Sequence, residues 1–273
     1  LTSRLVAFAR AIAGSSSAQS ANWLPAGLRG LARASNRLSA TAPLYRKLLQ
    51  VSSLRFVDHI VLRTAAIDAQ LRDALEAGAR QLVIVGAGLD TRAWELPELG
   101  DVTVYEIDHP ATQRYKRAHT DTMTARADIR YVSTDFESER FADRLRSAGF
   151  DASAVSACIW EGVAMYLPRR SVSECIEQIT EICAPGSRLL MTYLEADALP
   201  GGWLGERLTR AAFAAIGEPL KSAYSPAEMV ALLEPHWSIR YDDSARGWQR
   251  MTGSEARARP ALRGERLLVA HRR

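Results

Sequence analysis

Gln81-Leu-Val-Ile-Val-Gly-Ala-Gly-Leu-Asp-Thr-Arg92 is the stretch that decides the fold. Leu82 to Val85 run apolar and branched into Gly86. A strand buried on both faces reads this way, because helices above and below leave it no solvent side. Gly86 and Gly88 let the chain turn tightly and let a ligand approach the backbone at the strand's carboxyl end. A strand-to-helix turn with no ligand would look similar. Thr91 stands where the third glycine of a GxGxxG loop belongs, and a dinucleotide's pyrophosphate needs that fuller loop.

Four similar runs follow at 102–105, 129–132, 155–160 and 188–193. Helical stretches lie between them at 110–120, 137–148 and 170–183, and a helix is expected after the glycine turn. Residues 44–77 carry Leu48, Val51, Leu54, Val57 and Val61 near helical spacing, with Gly78 at the stop. After Tyr193 the alternation breaks, and 195–223 reads as a helical insertion punctuated by Gly201, Gly202 and Gly217. It resumes with a helix at 226–233 and strands at 237–241 and 266–271. The expected fold is α/β and Rossmann-like: a doubly wound, seven-stranded, mostly parallel sheet. The last two strands form a hairpin and give one antiparallel edge. Residues 1–53 form an N-terminal helical arm, and 1–273 make a single domain.

Composition narrows the class. The 273 residues are 47% hydrophobic, enough for a sizeable core, and no apolar run reaches the ~20 residues of a membrane span. Residues 1–14 are apolar and basic, as a leader would be. Arg4 and Arg10 interrupt them, and a helix face of Leu5, Phe8, Ala9 and Ile12 accounts for the pattern better. Basic residues number 35 against 31 acidic, spread along the chain, which is no nucleic-acid footprint. Cys158, Cys175 and Cys183 lie in apolar segments without metal spacing and read as buried free thiols. A cytoplasmic monomer or homodimer is expected, with a small-molecule partner, no metal, and neither nucleic acid nor membrane as partner.

The polar residues collect where strands end. Tyr105-Glu-Ile-Asp108 closes the second strand about 20 positions past the glycines, where a carboxylate accepts from ribose hydroxyls. Alternation puts Glu106 and Asp108 on one side, and a solvated turn before Pro110 is the bland alternative. Asp135-Phe136 follows the third strand, where acid and ring could hold an adenine or Asp135 could cap the next helix. Glu161-Gly162 leaves the fourth strand. A carboxylate there is costly to bury unpaired, and a cationic ligand group would offset the cost. Arg63, late in the helix before the first strand, could pair with a ligand carboxylate. Alone it reads as a solvated arginine.

The ordered set Arg63-Thr64, Gly86-Ala-Gly-Leu-Asp-Thr-Arg92, Tyr105-Glu-Ile-Asp-His-Pro110, Asp135-Phe136 and Trp160-Glu-Gly-Val-Ala-Met-Tyr-Leu167 resembles the leucine carboxyl methyltransferase family. More narrowly it resembles the bacterial branch of these S-adenosylmethionine-dependent enzymes, some of which serve natural-product pathways. The resemblance implies that Arg63 holds the methionine carboxylate, and that Gly86 and Gly88 lie against the cofactor. It implies that Asp108 takes the ribose, that Asp135 and Phe136 line the adenine, and that Glu161 faces the methionine amino group. Ser3 to Arg10 is similar to the family's opening helix. The Asp-Pro pair many bacterial members carry soon afterwards is missing, in a region that covers the acceptor.

Methyl transfer from a sulfonium is an in-line displacement in which the protein mainly positions the nucleophile and excludes water. An ionised carboxylate needs no base, so a methyl ester is the expected product. A phenol or alcohol would need a base, usually His. His109 alone lies next to a cofactor loop, and Pro110 gives it a helix-start role instead. Arg10, Tyr193, Trp203 and Tyr224 are candidate acceptor contacts, and Tyr193 is also a weak catalytic candidate. An NAD-dependent oxidoreductase or a non-catalytic nucleoside-binding protein of the same fold are the rival readings.

Overall fold

Apolar strands that shed water on both faces must be sandwiched, and the chain does this in three layers. The computed structural model describes residues 56–136, 138–196, 207, 210–211, 213–215, 219–253 and 264–273. Seven strands, β1 (Gln81–Val85), β2 (Thr103–Asp108), β3 (Asp128–Ser133), β4 (Ser156–Trp160), β5 (Arg188–Leu194), β6 (Trp237–Ser244) and β7 (Glu265–Arg272), make one sheet ordered β3-β2-β1-β4-β5-β7-β6. The first five run parallel, and β7 is antiparallel to both neighbours.

Alternate side chains of each strand enter opposite cores. Leu82, Ile84, Ile159, Leu190 and Val269 join α1 (Phe56–Glu76), α2 (Arg92–Glu95) and α7 (Ala245–Thr252) on one face. The helix α3 (Pro110–Thr120) sends Tyr115 to the same side. Val83, Val85, Cys158, Trp160 and Met191 face α4 (Phe141–Ser147), α5 (Arg169–Ile182) and α6 (Pro226–Leu233). Cys158, Cys175 and Cys183 are buried and free. No helix of the described residues is long and apolar enough to cross a membrane.

The seven strands and the doubly wound arrangement agree with the sequence reading, and three details differ. The reversed strand is not at the edge. Leu267 to Ala270 are 0–1% exposed, so β7 needs cover on both faces and both sides. β6 is mostly half-buried and takes the edge instead. The last two strands pair antiparallel, but α7 lies between them and they form no tight hairpin. The helix expected after the glycine turn is only the four residues of α2. Pro97 forces Leu96 out of the helical region, to φ −84°, ψ 113°. The helix expected from residue 137 begins at Phe141, with Arg140 at its N-cap. The arm (1–53) lies outside the described residues, as does most of the insertion at 195–223.

Both ends of that insertion are fixed. Glu195 bridges Tyr224, Lys221 N and Ser222 N donate to Met165 O, and Ser222 Oγ donates to Ala164 O. The excursion therefore leaves and rejoins the protein at the carboxyl edge of the sheet, beside the segment that follows β4.

One ion pair is built into the core. Glu106 of β2 and Lys116 of α3 approach to 2.5 Å with side chains 1% exposed, and Lys116 Nζ also lies 5.1 Å from the centre of the Trp94 ring. Burial pushes the Glu106 carboxyl from 4.5 up to about 7, against the pull of Lys116. The folded state keeps this proton longer than the unfolded chain does. Stability should therefore fall as pH rises from about 4.5 to 7, and Glu106→Gln should remove that slope. At pH 8 Lys116→Met leaves the carboxylate buried and unpaired. Urea unfolding should show a loss of about 3–5 kcal/mol, most of it recovered in the Lys116→Met/Glu106→Gln double variant.

Candidate active site

The carboxyl ends of β1, β2 and β4 meet the start of β7, because β7 runs the other way. The turn after β1 is held by backbone: Gly86 N and Ala87 N both donate to Ile107 O, at 2.8 and 3.0 Å. Gly86 has φ +69° and Gly88 φ +49°. A Cβ on Gly86 would overlap the Val163 side chain. Gly86 is thus demanded by the packing of one strand-end loop on another, and its absent side chain lets the loops after β1 and β4 close together.

Asp108, the last residue of β2, accepts from Gly88 N at 2.5 Å through one oxygen and from His109 N at 2.6 Å through the other. Burial raises its pKa against these two donors. A carboxylate has about four acceptor positions, so ribose hydroxyls can still be taken. The loop after β3 hangs from the same residue, with Thr134 N donating to Asp108 O at 2.9 Å. Asp135 follows, half-buried, accepting from Ser138 Oγ at 2.9 Å. It does not cap α4, which starts too far on. Phe136 packs edge-on against Phe141 with ring centres 6.1 Å apart.

Arg63 is not a solvated arginine. It is 6% exposed, and its Nε donates to Glu161 at 2.9 Å. Nη1 donates to both oxygens of Glu265, at 2.8 and 3.1 Å. Nor does Glu161 await a ligand to be paired, since Arg92 Nη1 donates to its other oxygen at 2.9 Å. Arg92 is 2% exposed. It also binds Asp90 and, through Nε at 2.6 Å, Asp68 of α1. Its Nη2 is buried without a hydrogen-bond partner. Burial works against both guanidinium charges, but the carboxylates outweigh it: Glu265 and Glu161 hold the Arg63 pKa above its ordinary value, and Asp90, Asp68 and Glu161 do the same for Arg92. The Glu265 carboxyl is likewise held down at about 2, against its own burial, by Arg63 and His59. His59 Nε2 is 2.6 Å from Glu265.

Two candidates, Tyr193 and Tyr224, are engaged elsewhere. Tyr193 is fully buried, and its hydroxyl donates to Asp242 at 2.8 Å. Asp242 in turn accepts from Arg266 at 2.8 Å, so Tyr193 braces the sheet and is neither an acceptor contact nor a base. Tyr224 is 3% exposed beneath the Arg169 guanidinium, 4.5 Å from its ring centre, and braces the rejoining end of the insertion. Arg10 and Trp203 lie outside the described residues. His109 is exposed at the N-cap of α3, where Nδ1 accepts from Ala111 N at 3.2 Å.

Sequence reasoning missed Asp68, Asp90, Arg92, His59 and Glu265 as parts of one cluster. The traces were present. Arg92 is a charged residue just past an apolar strand, Glu265 stands two positions before the apolar run 267–270, and His59 sits one helical turn before Arg63.

A mostly parallel sheet with a glycine turn after β1 and an acid ending β2 defines a Rossmann-like α/β protein. The chain belongs to the leucine carboxyl methyltransferase family, whose family model matches residues 5–180. A Mycobacterium tuberculosis protein named "Putative S-adenosyl-L-methionine-dependent methyltransferase Rv3787c" is 38% identical over 139 residues, 50% of this chain and 45% of that one. A Mycolicibacterium gilvum protein of the same general name is 41% identical over 159 residues, 57% of this chain and 52% of that one. The chain thus spans about half the length of these relatives. Among solved structures, a DUF574 family protein from Streptomyces avermitilis has a TM-score of 0.67 at 16% identity, covering 100% of this chain and 97% of its own. Burkholderia thailandensis 1,6-didemethyltoxoflavin-N1-methyltransferase, solved with S-adenosylhomocysteine, has a TM-score of 0.50 at 14% identity, covering 87% and 89%. These two likenesses concern the fold alone.

The glycine turn offers a direct test. Gly86→Ala combines a positive φ with the Val163 overlap, and should cost about 1–3 kcal/mol in urea unfolding. Adding Val163→Ala should return the steric part and leave the backbone part.

Proposed function

We propose that the chain transfers a methyl group from S-adenosylmethionine to an oxygen of a small-molecule acceptor. The observation that carries this is the Arg63–Glu161 ion pair, formed by residues 98 apart in sequence at the carboxyl edge of the sheet. A guanidinium and a carboxylate held side by side, beside Gly162, match the carboxylate and ammonium of an amino-acid group. The zwitterion would exchange one protein ion pair for two. A Cβ on Gly162 would stand 3.4 Å from Arg63 Nη1, so the bare glycine keeps that side of the guanidinium clear. Asp108 supplies the ribose acceptor, and Asp135 with Phe136 the adenine contacts. The cofactor supplies an electrophilic methyl on a sulfonium. The protein's part is to orient the acceptor oxygen in line with it and to keep water out.

The acceptor we favour is a carboxylate, giving a methyl ester, as family membership suggests, and a natural-product acid is the class in view. A hydroxyl acceptor is the second reading, and His59 favours it. Among the described histidines, His59 has its ring fixed by a buried carboxylate and its Nδ1 buried without a hydrogen-bond partner. An imidazole so oriented can serve as a base.

Two measurements test these readings. S-adenosylmethionine and S-adenosylhomocysteine should bind in the micromolar range, roughly −8 kcal/mol by calorimetry. Asp108→Ala should weaken both by about 1.5–3 kcal/mol. Absence of heat and of thermal shift on folded protein would remove the cofactor reading. Unchanged binding in Asp108→Ala would mean that Asp108 does not hold the ribose. For the acceptor, mass spectrometry of the product before and after mild alkali decides. An ester releases methanol and its formation varies little between about pH 6 and 8. A base-stable ether whose formation rises through roughly pH 6.5 would instead establish the hydroxyl reading.

A further inference from the structure

The ester reading leaves the His59–Glu265 pair without a catalytic task, yet the pair is built at high cost. Glu265 is 9% exposed and His59 7%. The carboxylate gathers two donors from α1, Arg63 Nη1 and His59 Nε2, and itself stands at the start of β7. Thr192, on the neighbouring strand β5, accepts from Gly162 N at 2.8 Å and lowers the Glu265 pKa.

A guanidinium has three nitrogens in a plane. Glu161 takes Nε and Glu265 takes Nη1. With two corners fixed the plane cannot swing, and Gly162 lies against it: a Cβ there would stand 3.4 Å from Nη1, 3.6 Å from Nη2 and 3.7 Å from the central carbon. A guanidinium held this way needs no further ordering to offer its remaining N–H groups to a carboxylate. We propose that Glu265, held in turn by His59, is a positioning residue that sets Arg63 for the carboxylate of the cofactor's amino-acid end. The inference rests on the S-adenosylmethionine reading above. His59 faces no titratable group among the contacts described here except Glu265 and, through it, Arg63. Its ring leans on Trp248 of α7, with centres 5.2 Å apart.

The test uses two probes on the whole chain. S-adenosylhomocysteine carries the amino-acid group, and 5′-methylthioadenosine shares the nucleoside but lacks it. In Glu265→Gln, calorimetry should show S-adenosylhomocysteine weakened roughly tenfold or more, with methylthioadenosine within about twofold of wild type. His59→Leu should show the same selective loss in smaller measure. His59→Gln, which keeps a donor near the Nε2 position, should restore most of the affinity. The two His59 variants carry the test if Glu265→Gln does not fold. Equal losses for both probes would mean that Glu265 only supports the fold, and unchanged S-adenosylhomocysteine binding in Glu265→Gln or His59→Leu would mean that Arg63 needs no such setting. Either result overturns the proposal. A wild-type chain that binds neither probe would fail at the cofactor reading, before Glu265 is in question.

Discussion

The buried array joining Arg63, Glu161 and Arg92 is the constraint on which the rest depends. Each charge costs several kcal/mol to take out of water, and only close, well-aligned partners return it. The array therefore dictates where whole elements go. Arg92 must turn inward at once after the glycine turn to reach Asp90, Asp68 and Glu161. The first crossover is then a single short turn of helix, ended before Pro97, not the long one usual after a first strand. Glu161 must leave β4 under Arg63, which draws Val163 onto the bare Gly86. Apolar residues of the same volume would serve stability as well, so an array of this kind is a mark of a site more than of a core.

Two buried carboxyls show how partner number decides the outcome of burial. Glu106 has one ammonium, and its pKa still rises to about 7. Glu265 is also buried, though 9% exposed, but a guanidinium and an imidazole share it, and its pKa falls to about 2. The first holds its proton near neutrality and belongs to the packing between β2 and α3. The second stays ionised over the whole working range, as the partner of a fixed cation must.

The sheet was legible in the sequence because its signals are local. Leu82 to Val85 and Leu267 to Ala270 declare strands covered on both faces, and in the second case the same apolar run argued for an interior place that the edge expectation overlooked. The separate residues that the structure gathers at the carboxyl edge were visible too, as strand-end acids and a helical arginine. Their pairing was not. Arg63 meets Glu161 across 98 residues and Glu265 across 202, and no spacing within one chain encodes such meetings. Glu265 also lies beyond the 5–180 span of the family model. Tyr193 misled for the opposite reason. An aromatic near a strand end looks like a ligand contact until Asp242, on a strand two places away in the sheet, claims its hydroxyl.

The place of β7 bears on how the molecule comes to exist on the ribosome. Strands β2 to β5 can pair as they emerge, since each finds a neighbour already made. β6 cannot, because among the described residues its only strand partner is the one that follows it. With chain growth of about 5–20 residues per second, β6 waits with unpaired backbone until β7 slides between it and β5. That same insertion delivers Glu265 to Arg63. Sheet closure and site assembly are one late event, so a ribosome stalled short of the last strand would carry a folded half-sheet with its arginine still unset.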